Sequence, residues 1–398
     1  MTVDHGTEAD TYGRFDEAET YFTKLALRGP EKRKRFMADL VISADSHVVE
    51  PFDLWVKALG AQYGDRVPHL VKSFDGRPGN YFYCGREAAL VEELVSTNEK
   101  DRAEDLVRAG RDPAFRLKLI DADGVAAEVV NSTWTLYAMR IEDGRLRRAC
   151  CSVFNDWITE YCSQDLKRLI GVAMVPVDDV EWGIAEMQRV ARKGLRGVMI
   201  ATQPLEGARP YRDRTYDRFW AAAQEMDMPV AIHIVTGRVR DPFTYHGEEE
   251  RGEVPRSFIE LFAEAAPVLA NEFIFGGIFD RFPRLKLIAS EYEASWIPHF
   301  RFRLDRIERF PGLAPLKKRA RDYLRENIYL GIVNDPLAAD MRHEIGVDRI
   351  MWGSDFPHPP CTYPNTHKIL DRILAGVPAD ERHKIVAGNV MSLYNIRL

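Results

Sequence analysis

Cysteine is scarce in this 398-residue sequence: Cys84, Cys150, Cys151, Cys162 and Cys361 are five residues without a CxxC pair. That excludes a disulfide framework and a cysteine-built zinc site, and predicts reduced, packed thiols. No apolar run approaches the roughly 20 residues of a membrane-spanning helix. The opening Met1-Thr2-Val3-Asp4-His5 lacks the basic and apolar regions of a secretory signal, so a cytoplasmic protein without a membrane partner is expected. An excess of one charge is missing too, with 55 basic against 61 acidic residues and a net charge of −6. The dense stretch Glu31-Lys32-Arg33-Lys34-Arg35 reads as a solvated helix face, and nucleic acid is not an expected partner.

What is present is an ordinary globular composition, 45% apolar and 29% charged, arranged as alternating strand-like and helix-like segments. Residues 1–40 form a polar N-terminal extension. Val41 to His47 is the first strand, and residues 53–112 are an insertion with a turn signal at Asp75-Gly76-Arg77-Pro78-Gly79-Asn80. Further strands end near Asn131, Pro176, Ala201, His233, Glu291, Leu330 and Asp355. Helical patterns over Pro113–Asp121, Arg145–Gln164, Val180–Lys193, Tyr216–Met226, Phe258–Phe275, Trp296–Arg309 and Leu337–Ile345 separate them. Eight such units favour an α/β fold of the (β/α)8 TIM-barrel type over residues 41–398. An open doubly wound sheet is the alternative, but its phosphate-binding turn needs glycine and Ser46 to Pro51 has none.

On a barrel, chemistry sits at the C-terminal ends of the strands. Those ends carry Asp45 and His47 on the first strand, His233 on the fifth, Glu291 on the sixth and Asp355 on the eighth. Residues i and i+2 of a strand share a face, so Asp45 and His47 project together. The first and eighth strands become neighbours on closure and the fifth faces them, which predicts one divalent-metal site.

With Ala44-Asp45-Ser46-His47, Glu50-Pro51, Phe279-Asp280-Arg281-Phe282-Pro283, Gly353-Ser354-Asp355-Phe356-Pro357-His358 and Ile385-Val386-Ala387-Gly388-Asn389 in view, the chain from Val41 onward resembles the amidohydrolase superfamily. The similar branch contains aminocarboxymuconate semialdehyde decarboxylase and related aromatic acid decarboxylases. The resemblance implies a metal-dependent barrel holding one divalent ion, sometimes two, with Asp45, His47, His233 and Asp355 as ligands. It implies that Asp355 takes the proton of a metal-bound water, and it implies a small-molecule substrate and a homodimer. The ligands suit Zn, Mn or Fe alike.

The departure from the family pattern is Glu291, which stands where the decarboxylases carry a proton-transferring histidine. A carboxylate there is expected to stay anionic and to serve as a further ligand or base. The leading expectation is therefore a hydrolase that uses metal-activated water on an amide, ester, thioester or lactone, with Asp355 and Glu291 as catalytic groups and His358 as donor. The alternative is a non-oxidative decarboxylase of an aromatic or unsaturated acid, with Glu291 or His358 supplying the proton. A catalytically dead barrel serving as a binding module is a third reading. For the substrate, Arg238 or His246 after the fifth strand, and Trp134 after the second, are candidate contacts, against the plainer roles of surface charge and core packing.

Overall fold

The computed structural model of the protein describes residues 40–91, 100–205, 207–236 and 262–398. Residues 1–39 of the expected extension, and the candidate substrate contacts Arg238 and His246, lie outside them. Leu40–Leu398 is one compact unit.

Eleven strands are present among the described residues: β1 (Ile42–His47), β2 (His69–Phe74), β3 (Arg77–Cys84), β4 (Glu87–Leu90), β5 (Ala127–Asn131), β6 (Leu169–Met174), β7 (Gly197–Met199), β8 (Val230–His233), β9 (Leu287–Ser290), β10 (Ile328–Ile332) and β11 (Ile350–Trp352). Eight of them pair in parallel in the order β1-β5-β6-β7-β8-β9-β10-β11. These eight are completely buried. Parallel strands covered on both faces read as unbroken apolar runs, which is why the sequence displays them so openly. Helices between the strands start on aspartate caps: Asp112, Asp143, Asp179 and Asp335 each accept a backbone N–H of the following first turn.

The barrel closes where β11 meets β1. The amide of His47 donates to the carbonyl of Phe356 at 2.6 Å, and that of Asp355 donates to the carbonyl of Asp45 at 3.0 Å. Gly353 makes this approach possible, because a Cβ there would lie 2.5 Å from the Cβ of Asp45. Buried Arg116 fastens the same seam. Its Nε donates to Glu128 Oε2 at 2.6 Å, its Nη1 to the His47 carbonyl at 2.6 Å and its Nη2 to the Phe356 carbonyl at 3.4 Å.

Within residues 53–112, helix Leu54–Tyr63 precedes an antiparallel sheet of order β2-β3-β4. Asp75 and Gly76 turn between β2 and β3, both at positive φ (51° and 75°), the geometry that matches the twist of the flanking strands. Phe82 of β3 packs on Trp134 at 4.8 Å between ring centroids, which anchors the small sheet to the barrel's C-terminal mouth.

Candidate metal centre

Asp45 and His47 share one face of β1, and the Ser46 hydroxyl between them donates the other way, to the Val129 carbonyl. Both are buried, as are His233 at the end of β8 and Asp355 after β11. His47 Nδ1 lies 2.7 Å from the Ser132 carbonyl, and His233 Nδ1 lies 2.9 Å from the carbonyl of Ile234. Each contact consumes an Nδ1–H and leaves Nε2 of that ring as the bare, lone-pair-bearing nitrogen. Asn131 Nδ2 donates to Asp45 Oδ1 at 2.7 Å and fixes that carboxylate.

What remains unpaired is the informative set. Asp45 Oδ2, His47 Nε2, His233 Nε2 and Asp355 Oδ2 are buried and have no hydrogen-bond partner among the described residues. Buried polar atoms are ordinarily satisfied, so four such atoms at one spot need an explanation. Across the set, His47 Nε2 is 3.4 Å from Asp45 Oδ1 and 3.5 Å from Asp355 Oδ1, and His233 Nε2 is 3.4 Å from Asp45 Oδ2 and 3.3 Å from Glu291 Oε2. These exceed the roughly 2.7–2.9 Å of a charge-assisted hydrogen bond. They match the spacing of atoms that share a cation: two donors each about 2.1 Å from an ion are about 3.0–3.4 Å apart in octahedral or tetrahedral arrangements. The donor set therefore fits a divalent metal.

Glu291 and Asp355 stand on strained backbone, with φ of 61° and 56°, a left-handed conformation that costs a non-glycine residue about 1–3 kcal/mol and is typical of functional sites. Neighbouring contacts hold the Glu291 turn. Glu293 accepts from the amides of Val333 and Asn334, and Asp335 accepts from those of Ala294 and Ser295.

Burial opposes a charge on Asp45, but His233 and His47 outweigh it and hold its carboxyl well below the usual range. Burial pulls His47 down, helped by His358. For His233 burial acts in the same sense, but Asp45 prevails and raises it. Burial, followed by the charges of Asp355, Asp45 and Glu293, pushes Glu291 well above the carboxylate range. Burial also takes Glu293 up to about 7. Carboxylates crowded this closely hold protons unless a cation joins them.

His358 extends the site. Its Nδ1 is 2.8 Å from Asp355 Oδ1 and its Nε2 is 2.9 Å from Thr133 Oγ1. The Thr133 hydroxyl gives its one proton to the Val48 carbonyl at 2.7 Å, so Nε2–H of His358 must be the donor to Thr133. Glu50, fully buried, organises the adjoining turn by accepting from the amides of Thr133, Trp134 and Thr135 and from the hydroxyls of Ser132 and Thr135.

Asp45, His47, His233, Glu291, Asp355 and His358 thus come together, in two overlapping groups whose ligand atoms lie within 4.8 Å of one another. Arg301, a conceivable partner for Glu291, bonds to Glu344 instead. Trp134 is buried, with its ring against those of Phe52 and Phe82. Asn131, Thr133, Glu50 and Arg116 escaped sequence reasoning as site residues. The signal available for Asn131 was a polar residue ending an apolar strand, and for Glu50 its place in the Glu50-Pro51 pair.

The sequence profile of the amidohydrolase family matches residues 69–396. A gamma-resorcylate decarboxylase from a Rhizobium species is 27% identical over 253 residues, covering 61% of this chain and 76% of that protein. Among solved structures, an amidohydrolase from Mycobacterium avium subsp. paratuberculosis superposes with a TM-score of 0.72 at 19% identity, over 89% of this chain and 99% of that one. A dihydroxybenzoic acid decarboxylase from Polaromonas, solved with manganese and 2-nitroresorcinol, gives 0.62 at 20% identity, over 90% and 98%. The expected hydrolase activity is corrected by the curated relatives, which are named gamma-resorcylate decarboxylase and decarboxylase orsB. Glu291 was the ground for that expectation; with no cation in place, burial and three neighbouring carboxylates favour its protonated form.

Proposed function

Because this chain belongs to the amidohydrolase family, we propose that it is a divalent-metal-dependent, non-oxidative decarboxylase of an aromatic carboxylic acid. The observation that carries the metal dependence is the convergence of the four unpartnered buried atoms of Asp45, His47, His233 and Asp355. Likeness to a gamma-resorcylate decarboxylase supports the reaction and points to a ring with a hydroxyl beside the carboxylate. Asp45, His47, His233 and Asp355 would hold one Mn, Zn or Fe ion. The bound cation supplies positive charge that orients the substrate carboxylate and its neighbouring hydroxyl.

Loss of carbon dioxide from an aryl acid needs a proton at the ring carbon that bears the carboxylate. The carbon–carbon bond then breaks, CO2 leaves and the ring regains aromaticity. Glu291 is the donor in this reading. Its side chain is 18% exposed, while those of Asp45, His233 and Asp355 are 2% or less, so it alone of these reaches the mouth where a ring would lie. On the far side of the cluster His358 Nδ1 contacts Asp355 Oδ1 and holds that carboxylate in place.

The test is carbon dioxide release from a panel of ortho-hydroxylated benzoates by manganese-loaded enzyme. Stoichiometric release that disappears on chelation and returns with Mn supports the proposal. A metal-replete enzyme that cleaves esters or amides and leaves the whole panel untouched overturns it.

A further inference from the structure

The opposite end of the barrel holds an unexplained feature. A cavity of about 1160 Å³ opens among the residues that precede β6, β7, β8 and β9 and the end of the C-terminal helix Asn389–Tyr394. Five cationic side chains line it, Lys167, Arg196, Arg284, Lys286 and Arg397, against the single carboxylate of Asp227. In a chain of net charge −6 this is a local inversion of sign.

None of the five is ion-paired among the described residues. Arg196 spends its guanidinium on the carbonyls of Asn395 and Leu166, Lys286 on the carbonyl of Glu326, and Arg397 on the Asn395 side chain. Lys286 is half-buried, and burial together with Arg349 and Lys318 lowers its pKa. Like charges gathered in a concave, partly desolvated place raise the local concentration of anions.

A second observation is independent of the cations. Tyr394 lines the cavity with 4% of its surface exposed, and its hydroxyl bonds to no protein group among the described residues. Its ring occupies the space left by Gly197, where a Cβ would come within 2.9 Å of Tyr394 Cε1. The sequence thus keeps a donor at the foot of β7 without giving it an acceptor.

We propose that this N-terminal mouth binds a compact polyanion, a small molecule carrying several phosphate or carboxylate groups, with Lys286 and Arg196 countering its charge and the Tyr394 hydroxyl donating to it. The volume lies somewhat above the usual range of small-molecule sites, about 300–1000 Å³, and suits a multiply charged metabolite better than a lone inorganic ion. The site lies across the barrel from the metal cluster and is independent of the decarboxylase reading.

Isothermal titration of the metal-loaded full chain with tripolyphosphate, and separately with tricarballylate, tests the proposal. Saturable binding of at least one probe is expected, weakening as salt rises, and the tighter probe assigns phosphate or carboxylate chemistry. Lys286→Gln should weaken that binding by about tenfold or more, and the isosteric Tyr394→Phe by about two- to tenfold. Both variants should keep the wild-type metal content, so any heat from metal chelation is common to all three proteins and subtracts. Absence of saturable binding with both probes, or the same isotherm in wild type and Lys286→Gln, overturns the proposal.

Discussion

Replacing Arg116 by methionine should uncouple the barrel seam, and the structure sets the scale of the effect. The side chain is fully buried and pairs with a carboxylate that is equally so. Breaking one side of such a pair costs about 3–5 kcal/mol, because Glu128 is left as an uncompensated buried charge. The His47 carbonyl loses the Arg116 donor as well, which adds about 1 kcal/mol, while the Phe356 carbonyl keeps the His47 amide. Against a total stability of about 5–15 kcal/mol this is about a quarter or more. Urea unfolding of the metal-free protein reads it directly. Arg116→Met combined with Glu128→Met should recover most of the loss, since removing both charges removes the desolvation penalty.

The double variant also separates stability from positioning. His47 and Asp355 sit on the two strand ends that Arg116 ties together, so even a restabilised barrel should bind manganese about 10- to 100-fold more weakly, as loss of an outer-shell support does elsewhere. Stability of Arg116→Met within about 1 kcal/mol of wild type, or a double variant that binds metal like wild type, would refute this account of the seam.

His233→Ala should lose more metal affinity than any outer-shell change, exceeding about 100-fold; one full equivalent of metal retained after dialysis would remove His233 from the ligand set. Glu291→Gln should retain metal and lower kcat by about 10²–10⁴-fold, and steady-state kinetics showing near wild-type turnover would take the proton-donor role from Glu291. Asp123, whose carboxyl burial pushes up to about 6, gives a pH signature. A folded-state pKa above the unfolded value of about 3.8 means that stability falls as pH rises from about 4 to 6 and stays lower above it. Asp123→Asn should therefore stabilise by about 1–3 kcal/mol near pH 8 and by almost nothing near pH 4, and an equal effect at both ends in thermal unfolding would contradict the assignment.

The barrel was legible because parallel strands covered on both faces leave eight separate apolar runs in the sequence. Asp45, His47, His233, Glu291 and Asp355 were legible because chemistry on this fold is confined to strand ends. The fastenings were not, since Arg116 contacts carbonyls 69 and 240 positions away and Thr133 meets His358 across 225. The crowding around Glu291 was hidden for the same reason. Its neighbours Asp45 and Asp355 are adjacent only after the barrel closes, and one carboxylate in sequence does not reveal that others will crowd it. The helix expected over Phe258–Phe275 is seen from Phe262, and its last part, Leu269–Ile274, is a π-helical turn, a widening that residue propensities do not encode.

The central claim is tested most directly by turnover of an ortho-hydroxylated benzoate in D2O containing ¹⁸O-labelled water, followed by mass spectrometry of the aromatic product. Decarboxylation by a positioned proton donor predicts one deuterium at the carbon that carried the carboxylate, one CO2 per product and no ¹⁸O in the aromatic product. A product bearing ¹⁸O and no ring deuterium, formed without CO2, would contradict it.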